Sequence, residues 1–150
     1  MDMARIYETR KNRKGFTLIE LMIVIAILGI LGAVSISYYT AHRTQVNARA
    51  ARSEVDRALL AQERWFSDNN AFGATPAAIG FTPVPNVTVV FSPAGTNLNI
   101  CAKHQWGDRT WGYDSSGSLY FWIATPRGQV APAACPAATA GNDFAGWTAE

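Results

Sequence analysis

Charged residues make up only 16% of the 150-residue chain, and histidine and cysteine each occur twice. These scarcities exclude several classes of function. There is no CxxC and no nearby pair of histidines, so neither a zinc nor a dithiol redox motif can be built. The chain has no Ser or Cys nucleophile pattern, no Gly-rich phosphate loop and no carboxylate pair at a recognisable spacing, and His42 and His104 stand far apart. Catalysis therefore has no starting point, and no metal or cofactor is expected. A basic body is also lacking. Of 13 Lys and Arg, five (Arg5, Arg10, Lys11, Arg13 and Lys14) fall in the first 14 residues beside Asp2 and Glu8, leaving eight basic and nine acidic residues beyond. Nucleic-acid affinity comes largely from many Lys/Arg–phosphate contacts, so no specific nucleic-acid partner is expected. The length allows one folded domain and one special segment.

That segment is Phe16 to Val34, FTLIELMIVIAILGILGAV, whose only charge is Glu20. At 1.5 Å per residue it spans about 28 Å, close to the hydrocarbon thickness of a bilayer. Arg10, Lys11, Arg13 and Lys14 precede it, whereas only His42 and Arg43 follow at some distance. The positive-inside rule keeps the N-terminus cytoplasmic and exports the remainder. No A-x-A cleavage pattern follows the apolar run, so an ordinary secretory signal does not fit. A carboxylate five residues into a spanning helix needs a partner. A cut between Gly15 and Phe16 would leave an α-amino group one helical turn from Glu20, and such an amine on one chain could neutralise Glu20 on another.

Lys14-Gly15-Phe16-Thr17-Leu18-Ile19-Glu20-Leu21, between a basic leader and an apolar run, resembles the prepilin cleavage and methylation motif of type IV pilins and of the related type II secretion pseudopilins. The resemblance implies that a prepilin peptidase cuts after Gly15, removing residues 1–15, and N-methylates Phe16. It also implies a structural subunit of a type IVa-like pilus. Such a subunit is held in the inner membrane as a precursor, then polymerised with copies of itself by assembly machinery into a surface filament for adhesion, motility or DNA uptake. Ser37 stands where many members carry proline, so no proline kink is expected there. A pseudopilin and a single-pass membrane-anchored binding module are the alternatives.

Beyond the run, Ala48, Ala51, Val55, Leu59, Gln62 and Phe66 recur at spacings of three and four, which continues the helix as an amphipathic one. The pairs Arg52–Asp56 and Glu54–Arg57 are expected to support its exposed side. No Gly or Pro interrupts residues 33–72, so one helix over 16–67 is expected, roughly 75 Å long. Residues 68–86, rich in Ala, Gly, Pro and Asn, read as a connecting loop with a turn of helix around Pro76–Ile79. Residues 87–150 form the head. Its β-prone runs Val87–Phe91, Leu98–Lys103, Thr110–Tyr113 and Leu119–Ala124 are joined by short turns, which predicts four antiparallel strands on the helix's second half. The fold class is α+β, pilin-like. Leu119–Ile123 is apolar on both alternating faces, so the tail over Pro126–Trp147 or a neighbouring subunit should cover the face turned from the helix. The head aromatics, Trp106 among them, read as core rather than as an adhesive surface. In an exported head Cys101 and Cys135 are most simply a disulfide, and type IV pilins have a C-terminal disulfide in a similar place. Asn142 and Asp143 offer two oxygens for calcium but read as a solvated turn.

Overall fold

The computed structural model describes residues 15–150; the basic leader residues from Arg5 to Lys14 lie outside the described residues. One compact unit ends at Tyr38 and the other covers Tyr39–Glu150. Helix α1 runs over Leu18–Asn69, starting two residues later than expected because Thr17 serves as its cap. It passes through Gly29, Gly32 and Ser37 without a break. It stops where Asn70 takes a left-handed φ of 51° and donates its N–H to the Phe66 carbonyl at 2.8 Å, with the Phe66 and Phe72 rings 4.6 Å apart. A left-handed Asn followed by an apolar contact is a common helix stop. The connecting loop holds one 3-10 turn, Ala77–Ile79.

Strands β1 (Val87–Ala94), β2 (Asn97–His104), β3 (Arg109–Asp114) and β4 (Leu119–Ala124) form an antiparallel meander in sequence order. A fifth strand, β5 (Thr148–Ala149), joins the edge of β4, pairing Phe121 with Ala149 and Trp122 with Thr148. The sequence expected four; two residues carry no periodicity to reveal a fifth. Two-residue and four-residue links set this topology. Gly95, at φ 61°, opens the β1–β2 turn, the positive φ that two-residue hairpin loops need. Asp114 Oδ1 accepts from Ser116 N at 2.8 Å and so folds the β3–β4 turn. Pro93 lies in β1, an edge strand, where a missing donor is tolerated.

The strands put alternate side chains on two faces. On one face Ala51, Val55 and Ala58 of α1 pack with Val89, Phe91, Leu98, Ile100, Trp111 and Tyr113. On the other, Cys101, Gly112 and Phe121 form one cross-strand row. Phe144 from the tail stacks on Phe121, centroids 5.1 Å apart, and Trp147 meets Phe144 edge-on at 4.9 Å. A Cβ at Gly112 would come within 2.2 Å of the Phe144 ring, so this mid-strand glycine is what lets the tail lie flat on the sheet.

The helix face differs from expectation at Glu54, which is buried rather than on the exposed side. One of its oxygens pairs with Arg57, as expected, and the other accepts from Val84 N at 3.3 Å. That second bond anchors the loop. Gln62, fully buried, does the same with both ends of its amide: Nε2 donates to the Gly73 carbonyl at 2.8 Å and Oε1 accepts from Gly73 N at 2.9 Å.

Candidate functional site at the N-terminal helix

Gly15, Phe16 and Thr17 are non-helical, and Phe16 is 88% exposed. The bond between Gly15 and Phe16 therefore sits in open backbone just before α1. Among the described residues a Cβ at Gly15 would meet nothing within 4 Å, so their packing does not require glycine there. Glu20 has a partner within its own chain that its charge alone does not announce. Its Oε2 accepts from both Thr17 N and Thr17 Oγ1 at 2.8 Å, while Glu20 N donates to Thr17 Oγ1 at 3.3 Å. This reciprocal pairing of Thr and Glu three residues apart is a capping box, and T-x-x-E before an apolar run was its sequence signal. Both acceptor contacts fall on Oε2, which leaves Oε1 as the acceptor for a group beyond the cap.

From Leu18 to Ile36 every large apolar side chain is between 48% and 76% exposed. The hydroxyl of Ser35 is satisfied locally, donating to the Leu31 carbonyl at 2.7 Å, so the segment offers almost no polar chemistry of its own. It belongs to a helix long and apolar enough to cross a membrane. A contiguous apolar surface of this size marks an interaction site, whether with lipid or with other chains.

The family model described as the prokaryotic N-terminal methylation motif matches residues 10–36. The chain is 36% identical over 121 residues to the type IV wide pilus major component PilA4 of Thermus thermophilus, covering 77% of this chain and 84% of that one. It is 35% identical over 130 residues to the type IV major pilin PilE1 of Neisseria gonorrhoeae, covering 76% and 71%. The chain belongs to the type IV pilin family. With the type IV major pilin PilA of Myxococcus xanthus it is 34% identical over 79 residues, and there the match spans 53% of this pilin but only 36% of the relative.

In the head of this pilin, Cys101 and Cys135 form a disulfide with Cα atoms 5.6 Å apart, closing 34 residues of separation. Asp143 anchors the tail beyond Cys135. It accepts from Thr139 N at 2.8 Å, from Thr139 Oγ1 and from Asn99 Nδ2 at 3.0 Å, and its own N–H donates to Asp114 Oδ2 at 3.2 Å. Burial alone would raise its pKa, yet the bonds from Thr139 and Asn99 outweigh that and lower it. Among the described residues, no three His, Cys, Asp or Glu are placed to hold a metal ion. Lys103 is fully buried, its Nζ donating to the Gly107 carbonyl at 2.9 Å, and burial pushes its pKa down. It braces the β2–β3 turn. His104 in the same turn is also lowered, by burial and then by the Lys103 charge, and its Nδ1 accepts from Trp106 N at 3.1 Å. The reading of the aromatics as core holds for Trp111 and Tyr113, both under 8% exposed, and fails for Trp106, which is half exposed.

Proposed function

We propose that this pilin is the polymerising structural subunit of a type IV pilus, made as an inner-membrane precursor and ending in a filament on the cell surface. A prepilin peptidase cuts after Gly15 and methylates Phe16; assembly machinery in the inner membrane then lifts the helix out of the bilayer into a bundle of its own copies. The reading gives the chain no catalytic step and no cofactor. The observation that carries it is the unbroken exposed apolar surface from Leu18 to Ile36, directly behind the open Gly15–Phe16 backbone. Leu, Ile and Val gain little or lose little on moving from acyl chains to neighbouring helices, so extraction and return are close to isoenergetic. Within the bundle, the Phe16 amine of one subunit pairs with Glu20 of another, using the oxygen that the Thr17 cap leaves over. The pilin relatives favour a pilus over a secretion pseudopilin or a lone membrane-anchored module.

Gly15→Leu tests the processing step, because a Cβ there meets no atom of the described residues within 4 Å. The expected result is uncut precursor in the inner membrane, an unchanged head and no surface filaments by electron microscopy of sheared material. Filaments of normal yield whose subunits keep Met1–Gly15 would contradict the proposal.

A further inference from the structure

Trp106 is the large aromatic of the head that the core does not account for. It borders a groove of about 400 Å³ shared with Tyr39, Arg43, Thr44 and Asn47 of α1 and with Arg127 from the tail. The walls are fixed from three directions. Trp106 N is held by His104, Gly128 N donates to the Gln105 carbonyl at 2.7 Å, and Arg127 donates to Thr44 Oγ1 at 3.3 Å. No carboxylate lines this groove, and among the described residues neither Arg43 nor Arg127 forms an ion pair. Two other clefts in the same unit place an acid among their arginines: Asp68 beside Arg57 and Arg64, and Glu150 beside Arg49, Arg52 and Arg109. Two uncompensated guanidinium groups flanked by a half-exposed indole and a phenol are complementary to a phosphate ester whose substituents are partly apolar.

Position along the helix says where such a group would come from. Tyr39 lies five residues past Val34, about 7.5 Å at helical rise. A bilayer's headgroup layer adds about 5–7.5 Å to each side of the hydrocarbon, so Tyr39 is level with it when residues 16–34 span. Arg43 is one turn further out. Side chains on a helix tilt toward its N-terminus, here toward the bilayer, and the long arginine stem extends that reach. Trp, Tyr and Arg are the side chains that gather at membrane interfaces. Resting on the membrane-resident stage proposed above, we infer that this groove holds the phosphate headgroup of an anionic phospholipid on the exported side of the membrane, anchoring the head before polymerisation.

The test uses the full-length chain reconstituted into phosphatidylcholine vesicles with increasing phosphatidylglycerol, both with acyl chains brominated near the interface. Flotation reports membrane residence. The difference in fluorescence quenching between wild type and Trp106→Phe reports the groove. Trp106-dependent quenching should rise with phosphatidylglycerol. Arg43→Gln and Arg127→Gln should each raise the mole fraction needed for half effect about fivefold, and the pair about 25-fold. Flotation and thermal unfolding should stay unchanged, since both arginines are exposed. Normal flotation with quenching indifferent to phosphatidylglycerol or to both arginines would overturn the headgroup site and leave the membrane reading intact. Trp106 shielded only in filaments would assign the groove to a neighbouring copy and likewise overturn it. A chain that fails to float would defeat the membrane reading and this inference with it.

Discussion

The segment from Leu18 to Ile36 and the head beyond Tyr39 solve their polar and apolar problems differently. In the head, both faces of the sheet are closed from within the chain: α1 covers one through Ala51, Val55 and Ala58, and Phe144 with Trp147 covers the other. Buried polar groups there bond across long sequence separations, as Gln62 does with Gly73 and Glu54 with Val84. In the N-terminal segment the polar bonds are local, Thr17 with Glu20 and Ser35 with Leu31, while the apolar surface is left bare. The comparison separates two tasks. Both segments draw their hydrogen bonds from within the chain, with Asn99 Oδ1 and Trp111 Nε1 of the head buried and unbonded, but only the head completes its own hydrophobic burial, and the N-terminal helix leaves that to lipid or to other copies.

The sharpest way to break the comparison is at Glu20. Losing one partner of a buried ion pair typically costs about 3–5 kcal/mol, so Glu20→Ala should abolish filaments while head unfolding, followed by circular dichroism, stays unchanged. Glu20→Gln separates the two roles, because glutamine still serves a capping box. It should assemble as poorly as alanine; wild-type filament yield from Glu20→Gln would show that the cap alone suffices. The disulfide is the mirror case. Cys101→Ser with Cys135→Ser should destabilise the head by about 3–4 kcal/mol in the chain-entropy model, seen as a lower denaturation midpoint, with membrane insertion intact. Gln62→Ala leaves the N–H and C=O of Gly73 unpaired and should lower head stability by about 2–3 kcal/mol.

The smallest expected effect lies where helix, sheet and tail meet. Arg52 pairs with Glu150 at 2.7 Å and Asp56 at 2.5 Å, and lies over the Tyr120 ring at 3.3 Å. Tyr120 donates to Asp56 Oδ1 at 2.8 Å, and burial followed by that bond pushes its pKa up to about 12. A phenol raised above its unfolded value of about 10 stabilises fully below that pH and loses the contribution as pH climbs through 12. Discounted for solvent, the wild-type advantage over Tyr120→Phe should shrink by on the order of 1 kcal/mol between pH 9 and 12.5. A difference that is flat with pH would contradict the bond.

The pattern of legibility follows from the same contrast. The apolar run, the amphipathic continuation through Ala51, Val55 and Gln62, and the four longer strands repeat over enough residues to be read from spacing. The disulfide followed from two cysteines in an exported head. What escaped was set by single contacts without a period. Thr17 as cap has a four-residue signal, T-x-x-E, but the same glutamate is also the only charge of the apolar run, and one residue carries both meanings. Nothing local in Gly112 announces Phe144, which arrives from 32 residues downstream. Glu54 resembled a surface pair with Arg57 until Val84 came to cover it.

The central claim is that the bare apolar helix of the single chain is buried by its own copies once the leader is gone. Met22 reports on both parts at once: it is 56% exposed in the single chain and is the sole methionine after residue 15. Intact-mass spectrometry of sheared filaments after mild peroxide treatment should give the mass of residues 16–150 with one added methyl group and no added oxygen, since a buried thioether is shielded from oxidation. A subunit mass that still includes Met1–Gly15, or complete conversion of Met22 to the sulfoxide in intact filaments, would contradict the account.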